Sequence, residues 1–87
     1  MFSVLTIKQV KVRFGGLIKQ SRKKANLSQV ELGELLNLSR ITIQNVESGK
    51  NATMDTMLLL MGHFELMADF HDLLVQRMDE NDIPSLY

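Results

Sequence analysis

The stretch from Gln29 to Val46, QVELGELLNLSRITIQNV, most restricts what this chain can become. Apolar residues recur at Val30, Leu32, Leu35 and Leu36, then at Leu38, then at Ile43 and Val46. Within each half the spacing is three to four residues, so each half has an apolar face when helical. The pattern predicts two short helices joined by a tight turn. Gly33 falls where the first would approach the second. A residue without a side chain there lets two backbones come close, although Gly inside a helix costs about 1 kcal/mol relative to Ala. Asn37 tolerates the left-handed conformation that ends many helices. Ser39 offers an N-cap hydroxyl to the next helix. The exposed face of that helix then carries Arg40, Thr42, Gln44 and Asn45. Arg and Asn can make paired hydrogen bonds to base edges in the major groove. An exposed helix face is ordinarily polar in any case, so periodicity alone leaves base contact and plain solvation open.

The flanks extend the pattern. Upstream lies FGGLIKQSRKKANLSQ, from Phe14 to Gln29, and downstream ESGKNATMDTMLLLMGHFEL, from Glu47 to Leu66. Gly33, Leu38, Ile43, Val46 and the run Glu47-Ser48-Gly49-Lys50 stand in register. Together these residues resemble the helix-turn-helix of the Xre/Cro/phage-repressor family. The resemblance implies an all-α, five-helix, lambda-repressor-like domain that acts as a dimer on double-stranded DNA. On the recognition helix it implies base contacts from Arg40, Thr42, Gln44 and Asn45. Ile41 is apolar on that wet face, which suits a thymine methyl or an incidentally exposed residue. Ser28, Gln29, Ser39, Ser48, Lys50 and Asn51 are the expected phosphate contacts, setting register rather than sequence. Lys19 and Lys23 fit either a phosphate contact or simple solvation. The resemblance also brings Arg22 and Glu47 together, as an ion pair tying helix one to the end of the recognition helix.

Local signals place the remaining elements. Residues 1–13 read as an N-terminal extension to a core at 14–66. Val4, Leu5, Ile7, Val10 and Val12 alternate as in a short strand, yet Ile7, Val10, Phe14, Leu17 and Ile18 also fit one helical face. The favoured reading is a helix from near Thr6, its cap, to about Ala25, where Asn26 can terminate it, with Gly15-Gly16 as a weak point. Ser28 and Glu31 make S-x-x-E, a capping box for helix two. Gly49 stops the recognition helix and Thr53 caps a fourth helix from about Met54 to Phe64. Its residues Met54, Met57, Leu58, Leu60, Met61 and Phe64 predict burial on more than one side. A fifth helix is expected over 67–78. Its apolar stripe, with Met67, Phe70, Leu73 and Leu74, is the candidate dimer interface. The tail at 79–87 is polar and is expected to fray, or to dock Ile83, Leu86 and Tyr87 on a partner.

Composition narrows the function. The chain has 87 residues, enough for one small domain. It has no cysteine, which removes disulfides and thiolate metal sites. The start MFSVLTIKQV is charged too early for a secretory signal, and no run approaches a membrane span, so a cytoplasmic protein is expected. Ten basic and ten acidic residues cancel, yet they are segregated. Residues 8–24 hold Lys8, Lys11, Arg13, Lys19, Arg22, Lys23 and Lys24 without an acid. From Glu65 onward, Glu65, Asp69, Asp72, Asp79, Glu80 and Asp82 face only Arg77. A basic face with an acidic far end can still bind DNA in one orientation. His63 and His71 are too far apart for a metal motif, Asp79 to Asp82 lacks a calcium-loop pattern, and Gly15-Gly16 lacks a phosphate-loop context. No metal, cofactor or catalytic residue is expected. The reading is a transcriptional regulator, a repressor or autoregulator, on an inverted-repeat operator. Restriction–modification controller proteins and HipB-like antitoxins are the nearest subtypes. A toxin-binding antitoxin, or an interaction module that no longer binds DNA, is the alternative.

Overall fold

The computed structural model describes residues 4–78. Five helices follow one another: α1 (Ile7–Lys24), α2 (Gln29–Leu36), α3 (Arg40–Glu47), α4 (Met54–His63) and α5 (Met67–Arg77). No strand occurs among the described residues, and the alternating stretch is helical from Ile7 onward. The readings for 79–87 lie outside the described residues.

Side chains set most of the boundaries. Thr6 caps α1 in a full capping box with Gln9: Thr6 Oγ1 accepts from the Gln9 N–H at 3.0 Å, and Gln9 Oε1 accepts from the Thr6 N–H at 2.8 Å. Ser28 and Glu31 repeat the device at α2, at 3.0 and 2.8 Å. Ser39 and Thr53 cap α3 and α4. Asn26 and Asn37 end α1 and α2 in the left-handed conformation, at φ 59° and 56°. Between α4 and α5 the left-handed position falls to Glu65, at φ 61°. α5 starts with no side-chain cap.

α3 packs against both α1 and α2. Ile18, Leu32, Ile43, Val46 and Leu60 form the buried centre, ringed by Phe14, Leu27, Leu36, Leu38, Ala52, Phe64 and Leu66. Two close approaches hold this packing. A Cβ on Gly15 would lie 2.2 Å from the Val46 carbonyl oxygen, so α1 crosses the end of α3 backbone to backbone. Gly15 is thus a contact within one continuous helix, and α1 runs unbroken from the extension into the core. A Cβ on Gly33 would lie 2.4 Å from the Leu38 carbonyl oxygen, so Gly33 accommodates the turn itself rather than the body of α3.

Burial departs from the apolar pattern in two places. In α2 only Leu32 is fully buried, while Val30 and Leu35 remain about half exposed. They flank the inward face, and an eight-residue helix packed mainly on α3 covers only its central stripe. In α4 only Leu60 is fully buried, and Met54 is 69% exposed. Met54 is the first residue of α4, beyond the core contacts, so burial on several sides does not extend to it.

Gly15→Ala should lower stability by about 1–3 kcal/mol, because the new methyl meets backbone that cannot move aside. Gly16→Ala meets nothing within 4 Å and should raise stability by about 0.4–1 kcal/mol through helix propensity and unfolded-state entropy. Urea denaturation of both variants checks the pair, and equal effects would contradict the crossing.

Candidate nucleic-acid interface

α3 is fixed from behind by a charge cluster. Arg22 Nε donates to Glu47 Oε2 at 2.6 Å, and Nη2 donates to Glu47 Oε1 at 3.0 Å. The remaining nitrogen, Nη1, donates to the Leu27 carbonyl at 2.8 Å. Gln29 Nε2 adds a bond to Glu47 Oε1 at 3.1 Å. The two charged side chains are only 9% and 4% exposed. Such a forked guanidinium–carboxylate pair is directional as well as strong. It links the last turn of α1, the last residue of α3, the α1–α2 connection and the first residue of α2. No buried side-chain nitrogen or oxygen is left without a partner among the described residues.

Burial pushes the Glu47 carboxyl up, but the hydrogen bonds from Arg22 and Gln29, with the Arg22 charge, leave it below its ordinary value of 4.5. The same bond to Glu47 raises Arg22. At the start of α2, the Ser28 N–H and hydroxyl hold the exposed Glu31 carboxyl below its ordinary value.

In front of this anchor, Ile43 and Val46 point into the core. Arg40, Ile41 and Gln44 are exposed, and Thr42 and Asn45 are half-buried. Arg40 Nη1 donates to Gln44 Oε1 at 3.2 Å, so the two stand side by side one turn apart. Ile41 is 54% exposed. At about 100° per residue it lies near the centre of the outward arc, between Gln44 and Asn45. Thr42 Oγ1 lies 2.9 Å from Ser39 Oγ, which ties that side chain to the cap.

The expected phosphate contacts fall on three edges around this face. Ser28 and Gln29 are at the start of α2, and Ser39 is at the start of α3. Ser48, Lys50 and Asn51 lie in the connection from α3 to α4. Ser28 and Ser39 are also N-caps. The Gln29 side chain is half-buried and its amide nitrogen is engaged by Glu47. The donors left for the expected phosphate contact are its backbone N–H and the second N–H of the same amide nitrogen. Ser48 Oγ donates to the Gln44 carbonyl at 2.9 Å. Asn51 Oδ1 accepts from Lys11 Nζ. That link was not foreseen; the basic run was visible, but nothing in the sequence pairs positions 11 and 51. The Leu27 carbonyl, a backbone partner of Arg22, also carried no sequence signal.

A family model for helix-turn-helix domains matches residues 18–66, more than half of the chain. The chain belongs to the helix-turn-helix family. Among curated proteins none matches it. The helix-turn-helix is a DNA-binding regulatory domain, and here α2 and α3 are its two defining helices. Among the described residues no helix is long and apolar enough to cross a membrane. The histidines of this helix-turn-helix chain have ordinary neighbours: the His63 ring stands edge-on to Phe64 at 4.9 Å, and His71 lies beside Asp72 at 3.4 Å.

Glu47→Gln leaves Arg22 buried without its carboxylate and should cost about 3 kcal/mol at neutral pH. The pair's contribution is present above about pH 4.5 and is lost as pH falls through the lower value that Glu47 takes in the folded chain. The stability gap between wild type and variant should therefore narrow in acid. Urea midpoints for both proteins at neutral and acid pH test this; a gap constant with pH would contradict it.

Proposed function

We propose that the chain is a sequence-specific transcriptional regulator that occupies promoter DNA, more as repressor and autoregulator than as activator. The observation that carries this reading is the outward face of α3, rigidly backed and ringed by hydrogen-bond donors. Arg40, Ile41, Thr42, Gln44 and Asn45 read bases in the major groove, with Ile41 against a thymine methyl. Ser28, Gln29, Ser39, Ser48, Lys50 and Asn51 hold phosphates on either side and set the register.

The active form in this proposal is a symmetric homodimer on an inverted repeat, with recognition helices about 34 Å apart. The support lies in α5, which has no fully buried residue. Leu73 and Leu74 are about half exposed, and Val75 is 41% exposed. Phe70 is half-buried. Met67 is 41% exposed, and its Cε reaches back toward Gly62 of α4. A helical fifth element is what controller proteins of restriction–modification systems lead one to expect. An antitoxin of the HipB type would carry a strand and a toxin-touching tail there.

One titration tests the proposal: labelled duplex carrying the chain's own upstream region, over a salt series, with wild type, Arg40→Ala and Leu73→Glu. Wild type should bind specifically, with log affinity falling linearly in log salt concentration. Arg40→Ala should lose about 1–3 kcal/mol of discrimination at one base position. Leu73→Glu should sediment as a monomer and bind only weakly. Absent or salt-independent binding by wild type would overturn the DNA reading, and an intact Leu73→Glu dimer would move the interface away from α5.

A further inference from the structure

We infer that the first turns of α1 form a further phosphate-binding edge beside the recognition helix, built from Lys8 and Lys11 together with Lys50. The inference rests on the DNA-binding reading and extends the surface that reading requires.

Three observations place this edge. Lys11 donates through Nζ to Asn51 Oδ1, which joins the second turn of α1 to the connection after α3. Val12 packs on the backbone of the same connection: a Cβ on Gly49, at φ 80°, would lie 2.9 Å from Val12 Cγ2. Lys8 precedes Val12 by four residues and lies on the same side of α1, one turn farther out. The two lysines thus flank the segment Ser48 to Asn51, which the proposed function already sets against the DNA backbone.

Charge gives the edge its ligand class. Lys8 and Lys50 are exposed and Lys11 is half-buried. The ion pairs among the described residues are Arg22–Glu47 and His71–Asp72, so none of these lysines has a carboxylate partner there. No acid occurs from Lys8 through Lys24, nor from Ser48 through Met54. Lys11 spends one of its three N–H donors on Asn51 and keeps the others. Neighbouring unpaired ammonium groups on helix and loop suit a polyanion whose charges repeat along a line, which is the duplex backbone. The sequence also supplies an internal control. Arg13 is two residues from Lys11, about 200° around the helix, and therefore faces away from the edge.

The test uses a labelled duplex of unrelated sequence, because phosphate contacts are indifferent to sequence. Fluorescence anisotropy over a salt series compares wild type with Lys8→Gln, Lys11→Gln and Arg13→Gln. Each lysine variant should flatten the slope of log affinity against log salt concentration by about 0.9 per lost contact. Its affinity for operator and for unrelated duplex should fall by the same factor. Arg13→Gln should leave the slope unchanged. Lys11→Gln also disturbs the tie to Asn51, so Lys8→Gln, at an exposed site, supplies the independent reading. Unchanged slopes for both lysine variants would overturn the edge while leaving DNA binding intact. Equal flattening by all three variants would also overturn it, as a general charge effect. Failure of wild type to bind any duplex would overturn the underlying reading as well.

Discussion

Everything in front of α3 depends on the guanidinium–carboxylate fork behind it. Glu47 is the last residue of α3, and its carboxylate is gripped by Arg22 from α1 and Gln29 from α2. Arg22 in turn holds the Leu27 carbonyl. The angle between α2 and α3 is therefore set by directional bonds as well as by the contact of Leu32, Ile43 and Val46. Burying two charges is expensive, and apolar replacements are often as stable. What the fork adds is geometry. A side chain that reads a base edge must arrive within hydrogen-bond tolerance of it, and an eight-residue helix held by two core contacts alone would have room to roll.

The fork also accounts for where freedom is absent in α1. That helix must bring Arg22 to Glu47 and cross α3 at Gly15, where any side chain would collide with the Val46 carbonyl. The same helix carries Lys8 and Lys11 forward to the connection after α3. One rigid rod thus connects the buried anchor to the basic edge. Segregation of charge along the chain, with acids gathered toward α5, lets a molecule of zero formal charge present a basic side.

Much of this was legible in the sequence, for identifiable reasons. Helix starts were readable because Thr6, Ser28, Ser39 and Thr53 are short-range signals acting over three residues. Helix ends at Asn26 and Asn37 were readable because those residues tolerate positive φ. The left-handed position at Glu65 carried no such signal. Apolar periodicity identified the right helices but overstated their burial at Val30, Leu35 and Met54, because periodicity marks a face and not the area a neighbour covers. The Gly15-Gly16 pair was ambiguous: local propensity counts both as weakening, whereas only the fold reveals that Gly15 meets α3 and Gly16 meets nothing. The Arg22–Glu47 pair was available only through family resemblance, since residues 25 apart leave no local trace. The Gln29 and Lys11 links have the same long-range character and were missed. At the candidate interface, the outward set from Arg40 to Asn45 followed from helical spacing, and its rigidity did not.

The most direct test of the account is a backbone amide chemical-shift titration of the isotopically labelled chain with its upstream duplex. The account predicts that the largest perturbations fall on Ser39 to Asn45, with a second group at Ser28, Gln29 and Ser48 to Asn51. The amides of the buried centre should move little. Perturbations confined to α5, or an α3 face that stays unmoved while DNA is bound, would contradict it.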